Sequence, residues 1–593
     1  MNTIRFEFTC SRPVPLYGRL CNRYLAYASL ETYIGYRQID RLQHCYFIEA
    51  MGEQAQLEAL ADAIANDFLI SVWLTDSNIS LIDQISGSKE PLAEEAIGQE
   101  YCQQCAPQFG DNQAANFGDI ALGCDFCHGE QRIDAAYLGF SATEIKSLCD
   151  ALLTQGSIRL PGHHPIQLSL NPTGETGRPR LLICNPNTLN AQFHLSDRQI
   201  LALSSIEKPS ITARAIKSHP KLDAPLYDLC FAYNRLLIII GETLRQRGVD
   251  WVFIEDGQLN PPLAFIRDNW VEVCNRQTCT TTIVSDAKAL HDEALLINSQ
   301  GYFLASQNKQ QFKLEQATDS SNAIASFGSK LKPVELTDSE YGLCALHSVN
   351  AEHGLSGASA IVYFSKQHGG QIQTLDAKGQ TELFFALPSL PQSGYEIYHQ
   401  LEQSPQKQVL EKFKQQFPDD YVRLLNLKLP PNSDNLSSLW ALGALLLGLP
   451  SRSMSVDDLS DALIASAMSH RGSNSPRVDY PLTRGEAHRS LNWCKTLGTL
   501  MSFRLADDDD KAKLAFGMHD SLTDYLANWL EHLDQNIGLK SVAIAGDEWN
   551  NPVLSQRFML RVGKNFNVKH NQGVALEGNN YALGALLLKK RRR

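Results

Sequence analysis

Cys102-x-x-Cys105 and Cys124-x-x-Cys127, with eighteen residues between the pairs, constrain this chain more than any other feature in it. Two thiolates three positions apart sit on one tight turn, and two such turns supply the tetrahedral sulfur cage that Zn²⁺ prefers. The stretch between them, Ala106 to Gly123, is polar and rich in Gly and Asn, so it builds no core of its own. The spacing predicts a structural zinc site that uses all four thiolates and leaves no open position for catalysis. A redox dithiol would need only one such pair, and the second argues against it.

Length and composition bound the rest. A chain of 593 residues holds several domains, three or four by ordinary domain size. A net charge of −12 argues against a primary role on nucleic acid or an anionic membrane. The basic tail Lys589 to Arg593 reads as a solvated end. Apolar runs such as Leu236 to Ile240 and Leu442 to Leu449 are too short to span a bilayer. Met1 to Arg5 leads straight into a strand-like alternation with no signal-peptide core, and the remaining ten cysteines show no disulfide rhythm. Both point to a reducing cytoplasm.

Residues 1–85 read as a small α+β domain. Strands are expected at Ile4–Phe8, His44–Ala50 and Ile70–Leu74, with helices at Leu16–Ser29 and Glu53–Asn66, the latter carrying Leu57, Leu60 and Ile64 on one face. A polar linker, Ser86 to Gly98, precedes the zinc module at 98–132. Residues 133–315 look mixed α/β, with a helix at Ala142–Leu153, strands at Ser157–Leu160 and Leu181–Cys184, helical periodicity over Leu226–Arg247 and a buried strand at Trp251–Ile254. A larger α/β block fills 320–593. Its strands include Ser359–Phe364 and Val542–Ala545, and its long helices Leu436–Leu449, Val456–Met468 and Lys511–Leu533. No period of 20–50 residues recurs, which excludes a solenoid. The acid run Asp507–Asp510 reads as charge complementing the start of a helix.

Several local patterns, in this order, resemble the hydrogenase-maturation carbamoyltransferase family, HypF. Cys124-Asp-Phe-Cys127-His-Gly is similar to its C-T-H-C-G-P, and Ile200 to Ile211 to its L-L-x-S-P-E-R-P-I. Ser326 to Lys332 resembles A-L-G-x-E-L-K, Ala351 to Leu355 matches A-E-H-G-L, and Phe516 to Leu522 places His519 on the histidine of R-F-H-N-T-L. Val542 to Leu554 and Tyr581 to Gly584 resemble S-G-G-V-F-Q-N and L-A-L-G. The resemblance implies a ferredoxin-like acylphosphatase-type domain, one zinc module, a YrdC-like α/β domain and a shortened C-terminal domain of the actin/sugar-kinase type. It also implies carbamoyl phosphate and ATP–Mg²⁺ as ligands of catalytic relatives, and a HypE-like acceptor as partner.

The departures from the family fall on its chemistry. A phosphate cradle needs glycines so that several backbone N–H groups converge on an anion. Where the family has V-Q-G-V-G-F-R, this chain has Thr9 to Arg19 with two prolines, although Arg12 and Arg19 remain cationic. The basic residue of the YrdC-like site matches Pro161, and its T-S-G-N turn matches Ile254 to Gly257, which carries Glu255 and Asp256. Leu343 and Ala345 stand at the metal histidines, Ser365 to Gly370 replaces the nucleotide loop, and Gly578 replaces the terminal metal aspartate. The subdomain that catalytic members hold between Lys332 and Glu352 is missing, as is a second zinc module.

The catalytic candidates left are His347, His353 and His519, with His368 near them. The candidates for holding a cofactor are Arg178, Gly369, Gly370, Gly546 and Gly584. Two functions follow from the resemblance. One is a HypF-like protein of [NiFe] hydrogenase maturation with degenerate active sites; the other is a non-catalytic zinc-binding scaffold in maturation or a related carbamoylation pathway.

Overall fold

A computed structural model describes residues 2–589 except 41–42, 96, 163–164, 173, 175–176, 217–218, 257–262, 267–268, 273–279, 299–300, 318–326, 328–332, 486–488 and 507–509. Nearly all of Ser326–Lys332, most of the acid run and most of the basic tail therefore lie outside the described residues, as does Gly257.

The N-terminal strands β1 (Asn2–Cys10), β2 (Glu31–Asp40), β3 (Gln43–Gly52) and β4 (Leu74–Leu81) form an antiparallel sheet in the order β2-β3-β1-β4. Helices Pro15–Tyr24 and Gln54–Asp67 complete the βαββαβ arrangement of a ferredoxin-like fold. Leu57, Leu60 and Ile64 are buried as their spacing predicts. The expected closing strand at Ile70–Leu74 is a loop instead, and the strand begins where that loop ends. The first helix likewise stops at Tyr24, short of Ser29.

The middle domain is a seven-stranded sheet. Its strands are β5 (Ser157–Leu160), β6 (Ile166–Ser169), β7 (Arg180–Ile183), β8 (Phe193–His194), β9 (Ile211–Ala215), β10 (Tyr227–Cys230) and β11 (Trp251–Asp256), ordered β5-β6-β11-β7-β10-β9-β8. The apolar stretch Leu226–Arg247 is not one helix. Tyr227–Cys230 joins the sheet beside β7, and the helix Arg235–Gln246 starts only where Asn234 caps it by accepting from the Leu237 N–H. One continuous apolar core joins the N-terminal sheet, the cysteine module and this middle sheet, running from Phe6 and Leu60 through Phe109 to Leu181 and Ile240.

A hairpin of β12 (Leu263–Ile266) and β13 (Asn269–Glu272) is followed by a four-stranded sheet of β14 (Thr280–Val284), β15 (Glu293–Asn298), β16 (Gly301–Asn308) and β17 (Gln311–Ala317). Phe303, Phe312 and Leu314 of that sheet share a core with Leu346 and Leu583 from the helices Asp338–His353 and Asn579–Leu587. The sheet β14–β17 thus packs against these C-terminal helices, in a core separate from that of the middle sheet.

The remaining strands are β18 (Ser359–Ser365), β19 (Gly369–Leu375), β20 (Thr381–Ala386), β21 (Leu482–Thr483), β22 (Ser490–Leu491), β23 (Ser541–Ala545) and β24 (Val568–Lys569). They form a mixed sheet ordered β21-β22-β20-β19-β18-β23-β24, in which β18 and β23 are parallel. Every residue of β18 is buried. Ala360, Val362 and Phe364 face the large helical core on one side, while Ile361 and Tyr363 face the core shared with β14–β17. The two-residue period of a strand explains the division.

Candidate functional site

The two Cys-x-x-Cys turns meet. The Sγ atoms of Cys102 and Cys105 lie 3.9 Å apart, Cys102 and Cys124 3.8 Å, and Cys105 and Cys127 3.8 Å, with all four within 4.8 Å of one another. Four thiolates about 2.3 Å from a tetrahedral zinc would be spaced by about 3.8 Å, so the donor set fits that ion. Cys102, Cys105 and Cys127 are buried, and Cys124 is half-buried. Hydrogen bonds from the Cys102 and Cys127 thiols pull the Cys105 thiol below its ordinary range, an arrangement that favours a thiolate. Among the described residues no other set of three or more His, Cys, Asp or Glu side chains is placed to hold a metal.

A buried arginine that sequence reasoning passed over anchors this module to the middle domain. Arg235, fully buried at the start of its helix, donates to the carbonyls of Glu100 (2.7 Å), Ile120 (2.9 Å) and Leu122 (2.5 Å). Its guanidinium also lies over the Phe109 ring at 4.9 Å. From the N-terminal domain, Arg19 donates to the Phe126 carbonyl at 3.1 Å. Arg12 stacks on Trp73 and donates to the Gln572 carbonyl. Each arginine ties one part of the chain to another.

A polar cleft of about 340 Å³ opens between the middle and C-terminal domains, lined among others by Arg178, Arg180, Asp228, Lys366, Trp440, Asp457, Asp461, Asp547 and Glu548. Every cation in it has an acid partner. Arg178 donates to both carboxylate oxygens of Asp461 (3.3 and 2.8 Å), to Thr212 (2.9 Å), and pairs with Asp228 at 3.5 Å. Arg180 pairs with Asp256 at 3.1 Å, and Lys366 with Asp457 at 2.7 Å. Beside them the Gly177 N–H donates to Asp458, while Arg452 donates to the Gly177 carbonyl and pairs with Asp458. A chain of charge-assisted contacts thus closes the domain seam.

The acids at the cleft floor serve the backbone. Glu548 accepts from the N–H groups of Leu436 (3.0 Å) and Ser437 (2.6 Å), capping the helix Leu436–Leu446 from a distance. Burial, and then the neighbouring Asp547, push its carboxyl up to about 7 in spite of those donors. Burial raises the Asp547 carboxyl too, although Lys366 opposes the shift. Burial alone would lower the Lys366 ammonium, but Asp457 and Asp547 turn the shift upward. The surplus of carboxylates repels further negative charge, and the cations are already engaged.

The structure does not gather the predicted histidines. His519 is fully buried in the helix Lys511–Ile537, its ring donating to the Ala515 carbonyl at 2.8 Å and stacking on Trp440 with centroids 4.5 Å apart. His353 donates to the His570 carbonyl at 2.6 Å. His347 sits on the same helix as His353, half-buried, and His368 stacks on Tyr341 at 3.6 Å. Burial lowers His347, His368 and His519 each to about 4, which favours the neutral ring. None lines the cleft; His519 lies one layer behind it, under Trp440.

The candidate glycines also turn out to be sites of close packing. Gly546 has φ +102°, and a Cβ there would stand 1.9 Å from the Phe364 carbonyl oxygen. Gly584 lets its helix approach Cys344, where a Cβ would meet that residue's carbonyl oxygen at 2.0 Å. Gly369 and Gly370 open β19 directly after the β18–β19 turn, and the Gly370 N–H donates to the Asp434 carbonyl. A Cβ on Gly369 would fall against the Asp434 carboxylate. At Gly546 and Gly584 the missing Cβ admits a close backbone contact, and at Gly369 it admits the Asp434 side chain.

No family model matches the chain. Protein HydE of Wolinella succinogenes is 29% identical over 186 residues, 31% of this chain, and the match spans 33% of HydE's own length. Full-length HypF in its phosphate- and nucleotide-bound form superposes with a TM-score of 0.57 at 11% identity, covering 99% of this chain and 98% of that one. HypF of T. kodakarensis gives 0.56 at 12% identity, covering 98% of each. The chain has the multidomain α/β fold of HypF along nearly its whole length. Among the described residues no helix is long and apolar enough to cross a membrane.

Proposed function

We propose that this chain is a HypF-like protein of hydrogenase maturation, or of a related carbamoylation pathway, working as a zinc-stapled scaffold rather than as a carbamoyltransferase. Its parts are an acylphosphatase-like domain (1–85), a zinc module (98–132), a YrdC-like domain from 133, and a shortened carbamoyltransferase-type domain that takes in β14–β17. Cys102, Cys105, Cys124 and Cys127 hold a structural Zn²⁺, which orders a stretch that has no core of its own. The partners in this reading are maturation proteins, including a HypE-like acceptor.

One observation carries the scaffold reading: Arg178, the cation left to receive a phosphate, is held by Asp461 and Asp228 across the domain seam. A ligand phosphate would have to displace two carboxylates, at a cost in broken charge-assisted bonds and exposed like charges. The test is calorimetric titration of the zinc-loaded protein with ATP–Mg²⁺, with and without carbamoyl phosphate. Silence for both supports the scaffold. ATP binding, with AMP and pyrophosphate formed when carbamoyl phosphate is added, overturns it.

A further inference from the structure

The N-terminal sheet ends on one side at β4, whose outer edge is bare among the described residues. The Ile82 N–H donates to the Thr3 carbonyl at 3.0 Å, so the alternate residues Ser80 and Asn78 also turn their backbone groups toward β1. The N–H and C=O groups of Ser77, Ile79 and Leu81 therefore point away from the sheet, and among the described residues no backbone group meets them. Two other long edge strands are closed. On the far side of the same sheet, Ile34 of β2 and Ser88 exchange two backbone hydrogen bonds of 2.9 Å. On the edge strand β15, the Leu295 carbonyl accepts from the Val334 N–H at 2.7 Å.

Edge strands are usually blunted by charge, proline or a bulge, because an open row of backbone groups recruits another strand. Ser77–Leu81 has none of these: it is uncharged, lacks proline, and keeps an unbroken register against β1 from Phe8 to Ile4. Ile79 and Leu81, on one face of the strand, are 62% and 74% exposed. Ile79 lies opposite Phe6, which lies opposite Ile48, and both of these are buried. Ile79 is thus the exposed end of a core row. The same strand in a second copy, run antiparallel about a two-fold axis through Ile79, would complete the edge. Ile79 then exchanges both backbone hydrogen bonds with its counterpart, and Ser77 does so with Leu81 across the axis. The two Ile79 side chains meet on the core face, extending the row through both copies. Asp76, the one charge in β4, falls opposite Ile82, so no like charges are set against each other.

We propose that the β4 edge is a self-association surface, on which two copies of this chain pair strand to strand into one continuous eight-stranded sheet. The pairing does not depend on the scaffold reading. It consumes the open edge of each copy, so it closes at a dimer, and its small contact area makes the dimer a weak one. The test is sedimentation equilibrium of the zinc-loaded full chain from micromolar to submillimolar concentration, repeated for Ile79→Lys, Ser77→Pro and Tyr395→Lys. Wild type is expected to show a reversible monomer–dimer equilibrium. Ile79→Lys sets two ammonium groups against each other at the axis and weakens the dimer about tenfold or more. Ser77→Pro removes one outward N–H per copy and leaves the β1 ladder intact, with a loss of about tenfold. Tyr395, 66% exposed on the helix Gly394–Gln403, serves as the control, and its variant dimerises like wild type. Ile79 and Ser77 are both exposed, and unchanged circular dichroism and zinc content establish that each variant is folded. A monomer throughout, assembly beyond two copies, a dimer that survives either edge substitution, or equal loss in Tyr395→Lys would each overturn the proposal.

Discussion

Arg178 and Asp461, 283 positions apart in sequence, meet through two hydrogen bonds of 3.3 and 2.8 Å across the seam between the middle and C-terminal domains. Both side chains are largely buried there, at 16% and 10% exposure, so the pair is screened less than a surface contact. Removing either partner leaves the other charge poorly solvated. Arg178→Ala and Asp461→Ala are each expected to destabilise the interdomain contact by about 1–3 kcal/mol. The double variant should lose less than the sum of the two. Domain-resolved hydrogen exchange through the cycle measures this; strict additivity would show that the pair contributes nothing.

The cysteine cluster makes a prediction independent of the cleft. Cys105→Ala should purify without stoichiometric zinc, and protease should then cut between residues 106 and 123. Elemental analysis and limited proteolysis check this together; full zinc content in the variant would refute the four-thiolate site. Chelator removal should become easier as pH falls, because the ligands must be deprotonated to hold the metal.

Arg235→Ala should separate docking from metal binding. The variant leaves the buried Ile120 carbonyl and two half-buried ones without this donor, at a cost of about 1–3 kcal/mol for the buried group alone. Zinc is expected to remain, since no ligand is changed, but its release to a chelator should accelerate. A release rate equal to wild type would mean that the module docks without Arg235.

His519 predicts an acid-labile core. Its ring titrates near 4 in the folded chain because burial disfavours the charged form, against about 6.5 unfolded. The unfolded state therefore binds the extra proton between those values. The stabilisation is complete above pH 6.5, is lost as pH falls, and stops declining near pH 4. The interval corresponds to about 3 kcal/mol for this ring. His519→Phe, which keeps the stack on Trp440, should flatten that part of the stability–pH curve; an unchanged slope would contradict the assignment.

Local chemistry was legible in the sequence, and long-range pairing was not. The four cysteines and the apolar stripe of Leu57, Leu60 and Ile64 are written in spacings of a few residues, and the structure places them as the spacings imply. Leu226–Arg247 misled because a buried strand and a buried helix are both apolar, and the cap at Asn234 that divides them is a single polar residue. The positive φ of Gly546 and its approach to the Phe364 carbonyl are not legible in sequence, where a glycine kept for close packing and one kept for a ligand look alike. Asp461, like Arg235, carries no motif. Its importance lies in what faces it, which only the folded chain supplies.

The strand Ser359–Ser365 acts as a party wall one residue thick between two cores. Neither side can be redecorated alone. A larger residue at Val362 shifts the backbone toward the neighbours of Ile361 and Tyr363, and a smaller one draws it away. Drift along this stretch is therefore confined to compensated pairs. The halves of the C-terminal region inherit each other's mutations even though most of their side chains never touch.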